Sequence, residues 1–440
     1  MIPAITYFIF QCDEIDTQKD EPPMNTDVPA KRWMHIIPVA MVMYILAYMD
    51  RINVAMVLPY VDKSFGLTSA DAGFAAGIFF VGYMVLQIPG GILASRWGAR
   101  RVVAVLMVLW SLSAMATGMV ETRNELYVVR FVVGVFEGGV WPSVLVLLST
   151  WFPQKERARA NAFWMICMPA SAVIMAPITG WLLTLVSWRW VFILEGLPPL
   201  IWVAVWWLLI ADRPNLARWI TNEEREYIEE RLRAENAVKP LSGGYAAALS
   251  DRRVLGLSLA YFFWMAGMYG FTMWAPSVVK GFSASEGSSV VGWISAIPFA
   301  FALVAMIVNS VWSDRRMDRP THVYAPLAVG VVGLIGGQCV GRSPILELIF
   351  LILTAIGVYA PFGPFWAIPS AMLATEVAGA GIGIINAIGN LGGFAGPYMI
   401  GYVHQITHNN WTGQFILALA LLATGIITIA ACGKGVLKKA

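Results

Sequence analysis

Twelve apolar stretches of about 20 residues or more follow one another along this chain, at roughly 35–60, 72–94, 102–120, 126–152, 160–186 and 190–211, then 255–279, 290–312, 322–340, 344–373, 378–402 and 411–432. A helix rising 1.5 Å per residue needs about 20 of them to cross the hydrocarbon core of a bilayer. Lipid offers no partner to a backbone N–H or C=O, so such segments are predicted to be helices that satisfy their own backbone. Charge agrees: Asp, Glu, Lys and Arg make up 13% of the 440 residues, about half the share of a soluble domain. The expected fold class is therefore an all-α membrane protein with twelve transmembrane helices. Several stretches exceed the bilayer thickness, which predicts tilt or kinks.

Lysine and arginine fall unevenly between the two sides. One side holds Lys63, Arg123, Arg189, Lys280 and Arg342; the other holds Arg96, Arg100, Arg101, Lys155, Arg157, Arg159, Arg315, Arg316, Arg319, Lys434, Lys438, Lys439 and a long middle loop. The positive-inside rule makes the second side cytoplasmic, with both termini there, in a multi-pass protein of the cell (inner or plasma) membrane. The formal charge of +3 follows from this asymmetry, and no nucleic-acid partner is expected. The first twelve residues are apolar but too short to span and lack a basic leader, so no signal peptide is read there; a start at Met1 or at Met24 is left open.

The chain divides into an N-terminal tail (1–33), a six-helix half (34–211), a cytoplasmic linker (212–253) and a second six-helix half (254–440). Within the linker, Thr221 followed by Glu224 is a capping-box pattern that opens a short amphipathic helix. After the second span of each half a loop pattern repeats: Gly91-Ile-Leu-Ala-Ser95-Arg96 with Arg100, and Ser310-Val-Trp-Ser-Asp314-Arg315 with Arg319. Internal repeats of this kind imply two pseudo-symmetric bundles with a site near the midplane between them.

Four charges interrupt the spans of the first half: Asp50, Arg51, Arg130 and Glu137. Each costs roughly 2.5–3.5 kcal/mol at the centre of a lone inserted helix, so they are expected to share a sheltered polar cavity. Arg130 and Glu137 lie seven residues apart, hence on nearly the same face and about 10.5 Å apart along the axis. Gly134 between them leaves a gap that a substrate or water could fill. Asp50 and Arg51 diverge by about 100°, so their partners are expected on other helices. With both acids protonated the four groups sum to +2, and with both ionised to 0; an anion would bind the protonated form best. Asp50 and Glu137 are thus candidate proton carriers. Arg51 and Arg130 are candidate anion anchors, because guanidinium stays charged and presents a planar fork to a carboxylate.

The second half has no charge deep in a span. Asn386 and Asn390 share a helix face and, with Trp366 and more weakly Gln338 and Tyr359, are candidate hydrogen-bonding groups; Tyr44, Tyr48 and Tyr83 face them from the first half. Each has a plainer alternative: ion pairs that lock helices, asparagines that join helices, and packing tyrosines. Glu195, toward the end of span six, is read as a capping or packing residue. Cysteines and histidines show no metal spacing, no glycine loop suits a nucleotide phosphate, and no nucleophile–base constellation suggests an enzyme. No cofactor and no metal are expected.

These features together resemble the major facilitator superfamily across nearly the whole sequence, on twelve spans, the GILASRWGARR loop, its SDRRMDR counterpart and the long middle loop. Tyr48-Met-Asp50-Arg51, Arg130 with Gly134, Glu137 and Pro142, Ser187-Trp188-Arg189-Trp190-Val-Phe192 and Asn386-Ala-Ile-Gly389-Asn390 resemble its anion:cation symporter family. That resemblance implies import of organic anions, such as sugar acids and aromatic carboxylates, usually with protons. It also implies a cytoplasmic gate at Arg96, Arg100, Asp314 and Arg315, although Ser95 stands where the family usually has aspartate. Span five lacks the glutamine common in sugar-acid members. The expected function is proton symport of a small organic anion by a monomer in the bilayer. The alternatives are an exchanger or uniporter of the same fold, or a membrane sensor that binds without transport.

Overall fold

A computed structural model describes residues 31–237, 245–283, 286–316, 318–340, 343–372 and 375–436. The expectations for the tail before residue 31, for Arg342 and for Lys438 and Lys439 lie outside these. Among the described residues every regular element is a helix. The first six spans are α1 (Lys31–Phe65), α2 with α3 (Ser69–Val85, Gln87–Trp97), α4 (Ala99–Thr117), α5 with α6 (Arg123–Gly138, Val140–Trp151), α7 with α8 (Gln154–Met165, Cys167–Leu185) and α9 (Trp188–Leu209). Two helices of the linker follow, α10 (Asn222–Ala237) and α11 (Tyr245–Ser250). The remaining spans are α12 (Arg252–Phe282), α13 (Ser288–Arg316), α14 (Thr321–Cys339), α15 with α16 (Pro344–Tyr359, Phe362–Met372), α17 with α18 (Thr375–Asn390, Gly392–Thr407) and α19 (Asn410–Val436).

Among the described residues ten helical segments are long and apolar enough to cross a bilayer, or eleven when the bent pair α2–α3 is one span. The other expected span, 378–402, falls on α17 and α18. The expected kinks are present, and the one in span two has an identifiable cause. Pro89 in the first turn of α3 cannot donate to the ladder, and the chain bends by 43° there.

Spans one to six pack on one another, as do spans seven to twelve, and the two sets meet where span two lies on span eleven, span five on span eight, and span one on span seven. Away from the basic face these seams are backbone-close. A Cβ on Gly292 would stand 3.2 Å from Gly180 Cα, and one on Gly73 would stand 3.1 Å from Tyr398 Cα. Ser69 and His404 add a hydrogen bond of 3.0 Å at the same end. Glycine is what lets helices approach this closely. Introducing leucine at Gly292 is therefore expected to leave each half folded but to push the two sets of spans apart at this seam; the protein should stay monodisperse by size exclusion while its thermal unfolding midpoint falls.

At the basic face the linker is tied down by charge. Glu224 N–H bonds to Thr221 Oγ1 at 3.3 Å, as the capping pattern predicts. The Glu224 carboxylate does not return the bond to Thr221; it accepts instead from the backbone N–H groups of Lys31 and Arg32 and pairs with Arg32 Nη1 at 2.8 Å. Arg32 also pairs with Glu156 in α7 at 2.8 Å. The linker helix is thus anchored to the start of span one through buried side chains.

Candidate functional site

The four interrupting charges of the first half come together, each no more than 2% exposed. Asp50 and Arg51 leave α1 in different directions, as their spacing requires. Arg51 reaches across to α5, where its Nη2 lies 3.0 Å from Glu137 Oε2. Its Nη1 donates to Ala47 O at 3.3 Å, and its guanidinium sits 4.7 Å from the ring centres of both Tyr48 and Phe79 and 5.3 Å from that of Tyr83. Five contacts therefore hold Arg51 in one pose. Asp50 Oδ1 accepts from Asn53 Nδ2 at 3.4 Å, one turn along its own helix, and its other oxygen has no hydrogen-bond partner.

Arg130 differs from Arg51. It lies 5.1 Å from the Phe79 ring, and its Nε and Nη2 are buried without a hydrogen-bond acceptor. A buried donor left unmade costs about 1–3 kcal/mol, more when charged. The two arginines, equivalent in sequence, are therefore unequal: Arg51 is engaged by a carboxylate, and Arg130 has N–H groups to offer. A cleft lined by Val54, Val57, Leu58, Val61, Ala75, Leu126 and Phe192 includes Arg130 in its wall.

One geometric expectation is corrected. Gly134 does not open a gap for substrate between Arg130 and Glu137, because the backbone of span two occupies that space. A Cβ there would overlap the Phe79 carbonyl and stand 3.1 Å from Tyr83 N. The glycine serves close packing of spans two and four, which is what brings Phe79 and Tyr83 against the arginines. Gly134→Leu is accordingly expected to lose folded protein, in contrast to Gly292→Leu, with little monodisperse material recovered in detergent.

The aromatic and amide candidates join the two halves. Tyr48 Oη donates to Tyr269 Oη of α12 at 3.1 Å, and Tyr44 and Tyr83 hydroxyls lie 3.4 Å apart. Asn386 Nδ2 donates to Gln87 Oε1 of span two at 3.1 Å, and Asn390 Nδ2 donates to Asn386 O and Oδ1 at 2.8 and 3.1 Å. Trp366 packs edge-on against Tyr261 at 5.0 Å. Tyr359 is bound to Thr272 at 3.2 Å. Gln338, in the last turn of α14, belongs to a helix packed on spans ten and twelve and lies apart from this cluster.

The four expected gate residues are not brought together. Asp314 pairs with Arg319 of its own loop. Arg96 and Arg315 are exposed. The Arg100 N–H donates to Asp212 Oδ1 at 2.8 Å, and its guanidinium covers Trp207 at 4.4 Å and donates to the Trp207 carbonyl. Arg100 thus fastens spans three and six. Among the described residues no group of His, Cys, Asp and Glu could hold a metal ion, and Cys339 is exposed.

Several buried polar residues were not singled out from sequence. Asn53 could have been, lying three residues after Asp50; Gln87 sits at the Pro89 kink. Glu195, read from sequence as a capping or packing residue, is also buried within its span and accepts from Thr179 Oγ1 at 2.6 Å. Tyr269 carried no local signal, since only the docking of spans one and seven places it on Tyr48.

An all-helical membrane fold whose two sets of spans meet over a buried charged cluster is that of a membrane transporter rather than an enzyme. The chain belongs to the Major Facilitator Superfamily, whose sequence pattern it matches over residues 40–397. It is similar to two Agrobacterium vitis proteins that both bear the name "Putative tartrate transporter". One is 34% identical over 96% of this chain and 94% of its own, the other 35% over 92% and 95%. A "Quinolone resistance transporter" of Acinetobacter baumannii is 30% identical over 89% of this chain and 92% of its own. Among solved structures, the inward open xylose transporter XylE from E. coli superposes with a TM-score of 0.73 at 14% identity, covering 90% of this chain and 95% of that one. At that identity the likeness concerns the fold alone.

Proposed function

We propose that this protein takes up a small organic anion, a sugar acid or other carboxylate, by proton symport with alternating access. The observation that carries the reading is the Arg51–Glu137 pair at 3.0 Å beside an Arg130 with unengaged N–H groups. When Glu137 takes a proton, Arg51 loses its partner, and an incoming carboxylate finds two guanidinium groups without an internal competitor. Proton loss from Glu137 restores the pair and displaces the anion. Tyr48, Tyr83, Asn386, Asn390 and Trp366 would contact the rest of the substrate, and Asp50 would hold a second proton in the field of both arginines. The halves 34–211 and 254–440 would rock about this site, with the glycine seams closing the outer side and Arg96, Arg100, Asp314 and Arg315 re-pairing at the cytoplasmic side. On this reading the protein works as a monomer in the cell membrane with both termini in the cytoplasm.

The two Agrobacterium relatives named for tartrate make it the substrate to try first. Purified protein in sealed vesicles should accumulate tartrate when the outside is acidic, and a proton ionophore should collapse the gradient. Exchange without accumulation would mark an exchanger or uniporter, and saturable binding without flux a sensor. The relative named for quinolone resistance supports a second reading in which the same site moves a quinolone; inhibition of tartrate flux by a quinolone would favour it.

A further inference from the structure

Glu195 is a carboxylate that the coupling scheme above leaves unused. It lies seven residues into α9 and is 3% exposed. One oxygen, Oε1, accepts from Thr179 of α8 at 2.6 Å; the other, Oε2, is buried with no hydrogen-bond partner. From α1 it is faced by the Asn53 amide and, beyond it, by Asp50. From α4 it meets no ionisable side chain: the contact there is made by Gly196 against Met115 and the Ser111 carbonyl. The cation on its own helix, Arg189, is turned away to the carbonyls of Gly118 and Val120 and the Trp188 ring. Among the described residues no arginine or lysine pairs with Glu195.

Donors and acceptors do not balance in this group. Asn53 offers its amide N–H to Asp50, and its own Oδ1 is buried without a donor, as are Glu195 Oε2 and Asp50 Oδ2. An ionised carboxylate buried without a counter-ion is costly. A proton on Glu195 Oε2 removes that cost and supplies a donor to a group in which three buried oxygens lack one. Were the amide turned over, its N–H would serve Glu195 and its oxygen would require the proton on Asp50. Asn53 thus links two carboxylates through alternative arrangements, each needing one proton.

We propose that Glu195 is a further proton-carrying residue of this transporter, taking a proton from the outer side and supplying it to Asp50 across Asn53. The balance is simple: outer water gives H+ to the Glu195 carboxylate, the O–H bond on Glu195 breaks as one forms on Asp50, the Asn53 amide turns over between its two arrangements without itself gaining or losing a proton, and ionised Glu195 is ready for the next proton. Phe192, one turn earlier on α9, lines the same cleft as Arg130, so the route would open beside the anion anchor.

This inference rests on the proton-symport reading, and one experiment separates their fates. Tartrate uptake is measured in vesicles of wild-type protein and Glu195→Gln across external pH, with proton flux recorded alongside. Glutamine keeps the acceptor for Thr179 and supplies a permanent donor to Asn53, so the fold is retained. Uptake limited by protonation of one group changes up to about tenfold per pH unit; in the variant that dependence should flatten, with fewer protons carried per tartrate. A folded variant with the wild-type profile and proton count overturns the inference while leaving symport intact. Wild-type protein that shows no acid-driven accumulation overturns both. Should Glu195→Gln not fold, Thr179→Val decides: it removes the donor to Oε1 and must displace the midpoint of the profile, and an unmoved midpoint rejects the role.

Discussion

If tartrate is the anion carried, as proposed, Arg130→Ala is expected to abolish its stabilisation of the purified protein and to remove its uptake, with the folded protein retained. Arg130 is nearly fully buried and donates no hydrogen bond through Nε or Nη2, so its removal breaks no ion pair in this state. Truncating one partner of a buried hydrogen-bonded charge pair costs about 2–5 kcal/mol, and at about 1.4 kcal/mol per tenfold this weakens anion binding roughly 30-fold to several thousand-fold. Arg130→Lys keeps the charge but loses the planar fork, and should bind between the two. Arg51→Ala should behave differently. Arg51 pairs with Glu137 at 3.0 Å and fills the space among Tyr48, Phe79 and Tyr83, so its loss strands a buried carboxylate and should lower thermal stability even without ligand. A ligand titration followed by thermal unfolding separates the two; equal effects on unliganded stability would contradict the division of roles.

That division was not legible in sequence, and the reason is instructive. Spacing along one helix fixed what each helix could say about itself: Asp50 and Arg51 diverge, and Arg130 and Glu137 share a face. It could not say which arginine meets Glu137, because that depends on how α1 docks on α5. Gly134 shows the same limit. Its place on the charged face is evident from sequence, but whether that space holds substrate or a neighbouring backbone is settled only by the packing of span two. The spans were readable because lipid imposes length and apolarity on each segment separately. Span eleven is broken at Leu391 into two shorter helices; its glycines at 389, 392 and 396 meet Tyr261, Phe262 and Ala266 of span seven and Gly393 meets Phe80 of span two, partners that no local pattern names. The repeated loops were recognisable as a pattern, yet Arg100 engages Asp212 and Trp207 in its own half. A motif marks where a loop lies, while its partners depend on which elements end nearby. Glu195 was visible as a charge but was read as packing, since nothing local reveals the absence of a counter-ion.

Glu137→Gln carries the largest expected effect on coupling. Glutamine approximates the protonated carboxyl and removes the competitor that holds Arg51, so the variant should bind tartrate at least as tightly as wild type at neutral pH and lose the pH dependence of binding. Accumulation should nevertheless vanish. A pH gradient of one unit is worth about 1.36 kcal/mol per proton, enough to concentrate an anion about tenfold for each coupled proton when no net charge moves; a variant that cannot ionise at position 137 has no step that converts the gradient into release. Asp50→Asn tests the neighbouring acid. It retains an acceptor toward Asn53 but no longer balances Arg130, and should lower accumulation with a smaller effect on binding. The measurement is paired: steady-state accumulation under an imposed pH gradient, and tartrate–tartrate exchange with none. Loss of accumulation with exchange still measurable in Glu137→Gln places the proton at this carboxylate. Tenfold accumulation persisting in both variants would transfer coupling elsewhere in the molecule, with Glu195 a further buried carboxylate of the same half, unlike the Arg32-paired Glu156, to carry it.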